Sequence, residues 1–343
     1  MKAMVLREFG VPMEMEDYPT PEIGPGELLV RVGAAGLCAT DIKVAQGKIE
    51  GLHLPVVPGH ELAGEVLECG ERAGANGWAP GDHVAIHMCM PCGQCRPCRT
   101  DWENNCERAE RVGYDRPGGF GEVVAVPHER CARVSSDMPM EHAAILAGSI
   151  ATPLHAIQRR AELQPDETIA IFGIGGLGIH ALQVAADTGA KVIAIDIDDA
   201  RLETARELGA SATINGMTDV AAALRDVTDG VGVDVVASFV GGKAIKAVLP
   251  QALGGLRRCG RVVVAGYLKG VPIVVDSNDL VLQTWEIRGA RSSTMADLHA
   301  AVELVEKGVV TPVVSETRPM IDLNEALSDL DAAPPLGRMA MVW

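Results

Sequence analysis

Four cysteines, Cys92, Cys95, Cys98 and Cys106, follow one another as C-x2-C-x2-C-x7-C. Thiolates that close in sequence can converge tetrahedrally on Zn2+, and Gly93 and Pro97 suit the reversing loop that this requires. An iron–sulfur pattern ends in an x3 spacing followed by proline, whereas here Cys106 comes seven residues on and precedes Glu107. A redox-active C-x-x-C needs only two cysteines. With every coordination position supplied by protein, such a site is closed and therefore structural. Cys89 stands outside the spacing and reads as a packing thiol. A second, more dispersed set is Cys38, in Gly36-Leu37-Cys38-Ala39-Thr40-Asp41, and His60 with Glu61, in Gly59-His60-Glu61. Cysteine, histidine and carboxylate are zinc ligands, and fewer than four protein ligands leave a position for substrate. By themselves, one Cys and one His are more often core or loop residues.

The third constellation is Gly173-Ile174-Gly175-Gly176-Leu177-Gly178, after an apolar run and opening a helical pattern. Gly173 permits a tight turn, Gly175 lets the backbone approach a pyrophosphate, and Gly178 allows close helix-to-strand packing, with the helix N-terminus facing the anion. Asp196 closes the next apolar run, where a carboxylate accepts from adenosine ribose hydroxyls and repels a 2′-phosphate. NAD is therefore favoured over NADP. The plain alternative is a tight turn with Asp196 as a cap, which the full unit in order makes the weaker reading.

These residues need elements to hold them. Residues 1–139 carry short β-type runs broken by Gly and Pro, at 28–32, 56–57, 65–67, 83–86 and 122–126, which predicts a mostly β domain with long loops. From 140 the pattern changes to a helical stretch over 141–161. Strands then follow at 168–172, 191–195, 212–214, 233–237 and 261–265, with helices at 177–188, 200–208 and 219–226 between the earlier ones. Alternating strands and helices predict a doubly wound parallel sheet. A helix at 295–307 and a β-like tail at 338–342 break that alternation, so the expected division is 1–150, 151–286 and a return to the first domain over 287–343. At 343 residues, and roughly 150 residues per domain, a two-domain chain is expected.

Composition removes several classes. A net charge of −16 with no basic patch argues against nucleic acid and anionic lipid. The longest nearly apolar stretch, 169–179, holds four glycines and is far short of the ~20 residues that span a bilayer. The amino end meets charge at Lys2, Arg7 and Glu8 and does not read as a secretion signal. The expectation is a cytoplasmic protein with no nucleic-acid or membrane partner.

Taken together, Cys38-Ala39-Thr40-Asp41, Gly59-His60-Glu61-Leu62-Ala63-Gly64 with Gly70, Gly81-Asp82-His83-Val84, the four-cysteine lobe, the glycine fingerprint, Cys259-Gly260-Arg261-Val262 and Gly337-Arg338 give a chain that resembles the zinc-containing alcohol dehydrogenases of the medium-chain dehydrogenase/reductase family over essentially its whole length. The resemblance implies an α/β protein with a GroES-like, mostly β catalytic domain split in sequence around a Rossmann domain. It implies one structural and one catalytic Zn2+ per chain, with NAD. Cys38 and His60 would bind the catalytic zinc, and Thr40 would pass a proton between the zinc-bound oxygen and the cofactor ribose. Asp41 would stand behind His60, Glu61 close to the metal, and Arg338 on the cofactor pyrophosphate. The implied reaction is hydride transfer between a secondary alcohol, diol or polyol, or the matching carbonyl compound, and NAD. A homodimer or homotetramer is expected, with the β-like run 271–275 as an edge strand pairing across a two-fold axis.

Two departures bear on the chemistry. Lys43 stands where many relatives have a proton-relaying His. Gly148, with Ser149 beside it, stands where the family's third zinc ligand, a Cys, Glu or Asp, is expected. Glu61 is therefore expected to coordinate directly, and a Cys or Glu introduced at position 148 to tighten the metal. The alternatives are a zinc-poor enone or quinone reductase on the same fold, or a nucleotide-binding zinc protein without turnover. His53 and His87 are weak candidates for substrate contact, and the resemblance implies that Met88 and Tyr267 line the substrate pocket.

Overall fold

The computed structural model describes residues 1–343. The chain forms two compact units, one of Met1–Ala151, Ser293–Lys307 and Pro312–Trp343, the other of Thr152–Ser292 and Gly308–Thr311. No helix is long and apolar enough to cross a membrane.

The first unit is built on a seven-stranded sheet. Its strands run Val314–Pro319, Arg338–Val342, Glu27–Gly36, Glu61–Cys69, His83–Ile86 and Cys131–Arg133, with Val123–Pro127 also paired to Glu27–Gly36. Alternate residues of these strands point inward. Leu28, Val30 and Val32 thus meet Leu62, Val66, Val84, Ile86, Val124 and Val126 in one buried cluster. The run at 56–57 makes only an isolated bridge, Leu6 to Val56. The carboxy-terminal strand lies inside the sheet, where Ala340 pairs with Gly36, and Gly36 pairs on its other side with Glu61. Arg338 is two residues from Ala340 on the same strand face, so this register brings it beside Glu61.

The helix expected over 141–161 is broken into Met140–Ala144, a π-helical turn at Leu146–Ile150, Ala151–Leu154 and a second π-helical stretch at His155–Ala161. Gly148 and Pro153 weaken the regular i to i−4 ladder here. Wide turns of this kind are frequent at functional sites.

The second unit carries six parallel strands in the order Ala212–Asn215, Lys191–Asp196, Thr168–Phe172, Val233–Ser238, Leu256–Val264 and Glu286–Gly289. In chain order this is 3-2-1-4-5-6, the doubly wound arrangement of dinucleotide-binding folds. Both faces are covered, so Ile169–Ala170–Ile171–Phe172 and Val192–Ile193–Ala194–Ile195 read as unbroken apolar runs and are buried throughout. One element differs from expectation, because 271–275 forms no strand. The sheet edge is taken by Glu286–Gly289, and Val271 and Val275 instead pack against the core of this unit while Val274 is 76% exposed.

Candidate active site and metal centres

Cys38 sits at the N-cap of the helix Ala39–Ala45. Its backbone N–H donates to Asp41 Oδ2 at 2.8 Å, while Asp41 Oδ1 lies 3.1 Å from His60 Nδ1. A fully buried carboxylate thus fixes two candidate ligands at once. With Nδ1 donating to Asp41, the Nε2 lone pair of His60 is left for a metal. Tyr114, also buried, packs its ring on the imidazole at 5.6 Å between centroids, tilted by 50°. The Thr40 hydroxyl lies 3.5 Å from Cys38 Sγ.

Glu61 opens its strand and is 1% exposed. Arg338 donates to both of its oxygens, Nε to Oε2 at 3.1 Å and Nη2 to Oε1 at 2.9 Å, and Nη2 also lies 3.7 Å from Cys38 Sγ. The donor atoms of Cys38, His60 and Glu61 all fall within 4.8 Å of one another. Burial pushes the Cys38 thiol up, but Arg338 and His60 bring it below its ordinary value. Burial works against the His60 cation, yet the Asp41 carboxylate, by charge and by hydrogen bond, holds its pKa well above the ordinary histidine range. Burial, with the negative charge of Asp41 and Cys38 set against the opposing pull of His60 and Arg111, pushes the Tyr114 phenol up to about 12, so it stays neutral. A soft thiolate, an imidazole with its far nitrogen already hydrogen-bonded and a carboxylate suit zinc in kind and number, with room for a fourth ligand.

The expectation that a Cys or Glu at position 148 tightens the metal meets a steric condition. A Cβ on Gly148 would stand 2.3 Å from both Glu61 Cδ and Oε1. The volume that a side chain at position 148 would enter is filled by the Glu61 carboxylate.

In the lobe, Cys92, Cys95, Cys98 and Cys106 bring their sulfurs within 4.8 Å of one another, Cys95 to Cys98 at 3.3 Å and Cys95 to Cys106 at 3.7 Å. The backbone N–H groups of Gln94 and Cys95 draw the Cys92 thiol down to about 6. A divalent cation satisfies four sulfurs this crowded. Cys89 is buried outside the cluster, directed at the Glu103 carbonyl.

In the second unit, Gly173 adopts φ +86°, and a Cβ on Gly178 would strike the Gly173 carbonyl oxygen at 1.8 Å. Beside Gly175 there is open space, the nearest atom being Arg201 Nη1 at 3.9 Å from a hypothetical Cβ. Leu177 caps the helix Gly178–Asp187, and the Gly176 carbonyl lies 3.0 Å from His180 Nδ1. Asp196 accepts from Ile174 N at 2.7 Å and from Asp198 N at 3.1 Å, and Arg201 Nη1 is 3.8 Å from its Oδ2. Asp196 thereby ties the end of its strand to the glycine turn. Arg338, expected on the cofactor, lies in the first unit against Glu61.

Sequence reasoning passed over Tyr114 and Arg201. Arg201 was findable as the basic residue in the first turn of the helix after Asp196, whereas nothing local marks Tyr114. His87 is not open to substrate. It is 1% exposed, Nδ1 accepts from Cys89 N at 3.2 Å and Nε2 donates to the Ser293 carbonyl at 3.0 Å.

Comparison with known proteins bears on the same two units. Residues 24–136 match the alcohol dehydrogenase GroES-like domain, and residues 176–307 the zinc-binding dehydrogenase domain. An NAD-dependent alcohol dehydrogenase of Sulfurisphaera tokodaii is 31% identical over 100% of both chains. An alcohol dehydrogenase of Geobacillus stearothermophilus is 33% identical over 99% of this chain and 98% of its own. The solved structure of AibC superposes with a TM-score of 0.93 at 34% identity, covering 100% of this chain and 95% of that one. The GroES-like and Rossmann expectations therefore hold, and the chain is an enzyme that belongs to the zinc-containing alcohol dehydrogenases of the medium-chain dehydrogenase/reductase family.

Proposed function

We propose that this enzyme interconverts a secondary alcohol, diol or polyol and its carbonyl counterpart with NAD, using one catalytic zinc at Cys38, His60 and Glu61 and one structural zinc at Cys92, Cys95, Cys98 and Cys106. NAD-linked alcohol oxidoreduction is the coarser statement that its relatives support. The observation that carries the finer one is the convergence of Cys38, His60 and Glu61 donor atoms within 4.8 Å, with Asp41 behind His60.

When bound, zinc supplies a Lewis acid that lowers the pKa of an alcohol hydroxyl, and NAD supplies the hydride acceptor. The chain's own residues do the rest. Asp41 holds the imidazole tautomer that leaves Nε2 free. Thr40, beside Cys38, is placed to take the alcohol proton and pass it on. The Cys38 thiolate and the Glu61 carboxylate together balance a divalent charge, and Arg338 adds one positive charge that favours negative charge developing on substrate oxygen. Asp196 accepts ribose hydroxyls and disfavours a 2′-phosphate, while Gly173, Gly175, Gly176, Leu177 and Gly178 present backbone to the pyrophosphate. The reductase alternative rested on Gly148, and a carboxylate already lying in that place argues for a complete ligand set instead.

A homodimer or homotetramer fits the apolar surface of the second unit, where Val274, Val281, Leu282 and Tyr267 are each more than 60% exposed. A reducing, cytoplasmic setting fits nine cysteines with no disulfide among them. The test is a panel of secondary alcohols, diols and sugar alcohols with NAD or NADP, before and after chelation. The reading expects NAD-dependent turnover of some member, lost on chelation and restored by zinc. Turnover that survives complete removal of zinc contradicts it.

A further inference from the structure

The Glu61 carboxylate lies in a slot whose two walls have no side chains. One wall is Gly36, its partner in the strand ladder, where a Cβ would stand 3.0 Å from Glu61 Oε2 and 3.3 Å from Glu61 Cβ. The other is Gly148 on the π-helical turn, where a Cβ would stand 2.3 Å from Oε1 and Cδ and 2.4 Å from Cγ. Atoms do not approach that closely, so any side chain at 148 must move the carboxylate. It is buried, flanked by Gly36 and tied at both oxygens by Arg338, so moving it breaks the pairing with Arg338. Neither glycine has a positive φ, so backbone conformation does not call for glycine at these positions. What they provide is space.

We propose that Gly148, with Gly36 opposite, is a positioning residue that sets the identity of the third metal donor: by presenting no side chain it admits Glu61 to the Cys38–His60 pair. This rests on the reading that Glu61 coordinates. It goes further in assigning the choice of donor to a residue that carries no donor atom. Position 148 and Glu61 compete for one volume, so a carboxylate delivered from position 148 can replace Glu61 but cannot join it. Arg338 lies 3.7 Å from Cys38 Sγ as well as against Glu61, and so holds the carboxylate beside the thiol.

The test uses the full-length zinc protein, with zinc affinity by chelator competition and the visible spectrum after Co2+ substitution, none of which needs turnover. Glu61→Gln, Gly148→Ala and the exchange Glu61→Ala/Gly148→Asp are compared with Glu61→Ala, the four-cysteine site serving as the constant reference. Gly148→Ala is expected to weaken the Cys38–His60 site at least about tenfold, as Glu61→Gln does, and to change the Co2+ spectrum in the same way. The exchange is expected to recover affinity and spectrum relative to Glu61→Ala. Wild-type affinity and spectrum in Gly148→Ala, with both altered in Glu61→Gln, overturn the proposal while leaving Glu61 as a ligand. Wild-type metal binding in Glu61→Gln overturns the ligand reading and the proposal with it. If Gly148→Ala does not fold, the exchange decides alone: zinc binding no better than in Glu61→Ala refutes the competition for one volume.

Discussion

Asp41 is the residue whose alteration speaks most sharply to how the centre is held. It is fully buried and accepts twice, from Cys38 N at 2.8 Å and opposite His60 Nδ1 at 3.1 Å. Asp41→Asn keeps size and shape but offers one acceptor and one NH2. If the amide oxygen faces Cys38 N, the NH2 meets His60 Nδ1 and forces the ring proton onto Nε2, which then has no lone pair for a metal. If the oxygen faces His60, the Cys38 N–H is left opposite another donor, and an unmade buried hydrogen bond costs about 1–3 kcal/mol. Loss of such an outer partner typically lowers metal affinity about 10–100-fold, or roughly 1.4–2.8 kcal/mol at 1.4 kcal/mol per factor of ten. The assay is a chelator titration that resolves two zinc ions. One, at the four-cysteine lobe, should keep its affinity in Asp41→Asn, and the other should weaken by that factor, with alcohol oxidation partly recovered at high zinc. An unchanged affinity at both ions would refute the argument that Asp41 sets the His60 tautomer.

The remaining expectations concern other parts of the chain. Asp196→Ala removes the carboxylate that disfavours a 2′-phosphate, so the preference for NAD over NADP, measured as a ratio of kcat/KM values, should narrow; it also removes the acceptor of Ile174 N, so KM for both cofactors should rise. Cys95→Ser should lower zinc content by one ion per chain and lower the Tm, because binding energy at such a lobe is also folding energy; full zinc content with an unchanged Tm would show that these thiols hold no metal. Glu167 accepts from Arg261 Nη1 at 2.7 Å and from Nη2 at 2.6 Å. Burial pushes its carboxyl up, but Arg261 and the Gln164 N–H carry it below the ordinary range. A depressed folded pKa adds stability that is full above the unfolded value near 4.3 and fades as pH falls through the folded value. Denaturant titrations should therefore find Glu167→Gln less stable than wild type by about 1–3 kcal/mol at neutral pH, between the exposed and buried limits for ion pairs, with the gap closing in acid.

What was legible in the chain was local. The glycine turn and Asp196 belong to one strand–helix–strand unit, and the four lobe cysteines lie within a single loop, so spacing alone suggested that each set could act together. The inner arrangement of the other centre was not legible. Glu61 is shaped by Gly36, Gly148 and Arg338, which come from a strand, a π-helical turn and the carboxy-terminal strand, and no spacing rule joins them. Gly148 read as a missing ligand because a gap in a pattern does not reveal what fills the volume. Tyr114 was invisible for the same reason, since its contact with His60 depends on tertiary packing. The helical stretch 141–161 looked continuous by apolar periodicity, which does not distinguish α from π turns. The run 271–275 has strand composition, but composition does not say whether an edge is already occupied.

The most direct test of the central claim, a catalytic zinc held by Cys38, His60 and Glu61, is a crystal structure of the zinc-loaded enzyme with anomalous data collected at the zinc edge. The account predicts two anomalous peaks per chain. One is surrounded by the sulfurs of Cys92, Cys95, Cys98 and Cys106, and the other is bound by Cys38 Sγ, His60 Nε2 and a Glu61 oxygen at about 2.0–2.2 Å. A zinc at Cys38 and His60 with the Glu61 carboxylate well outside that distance, or no zinc there in crystals of an enzyme that still oxidises alcohol, would contradict it.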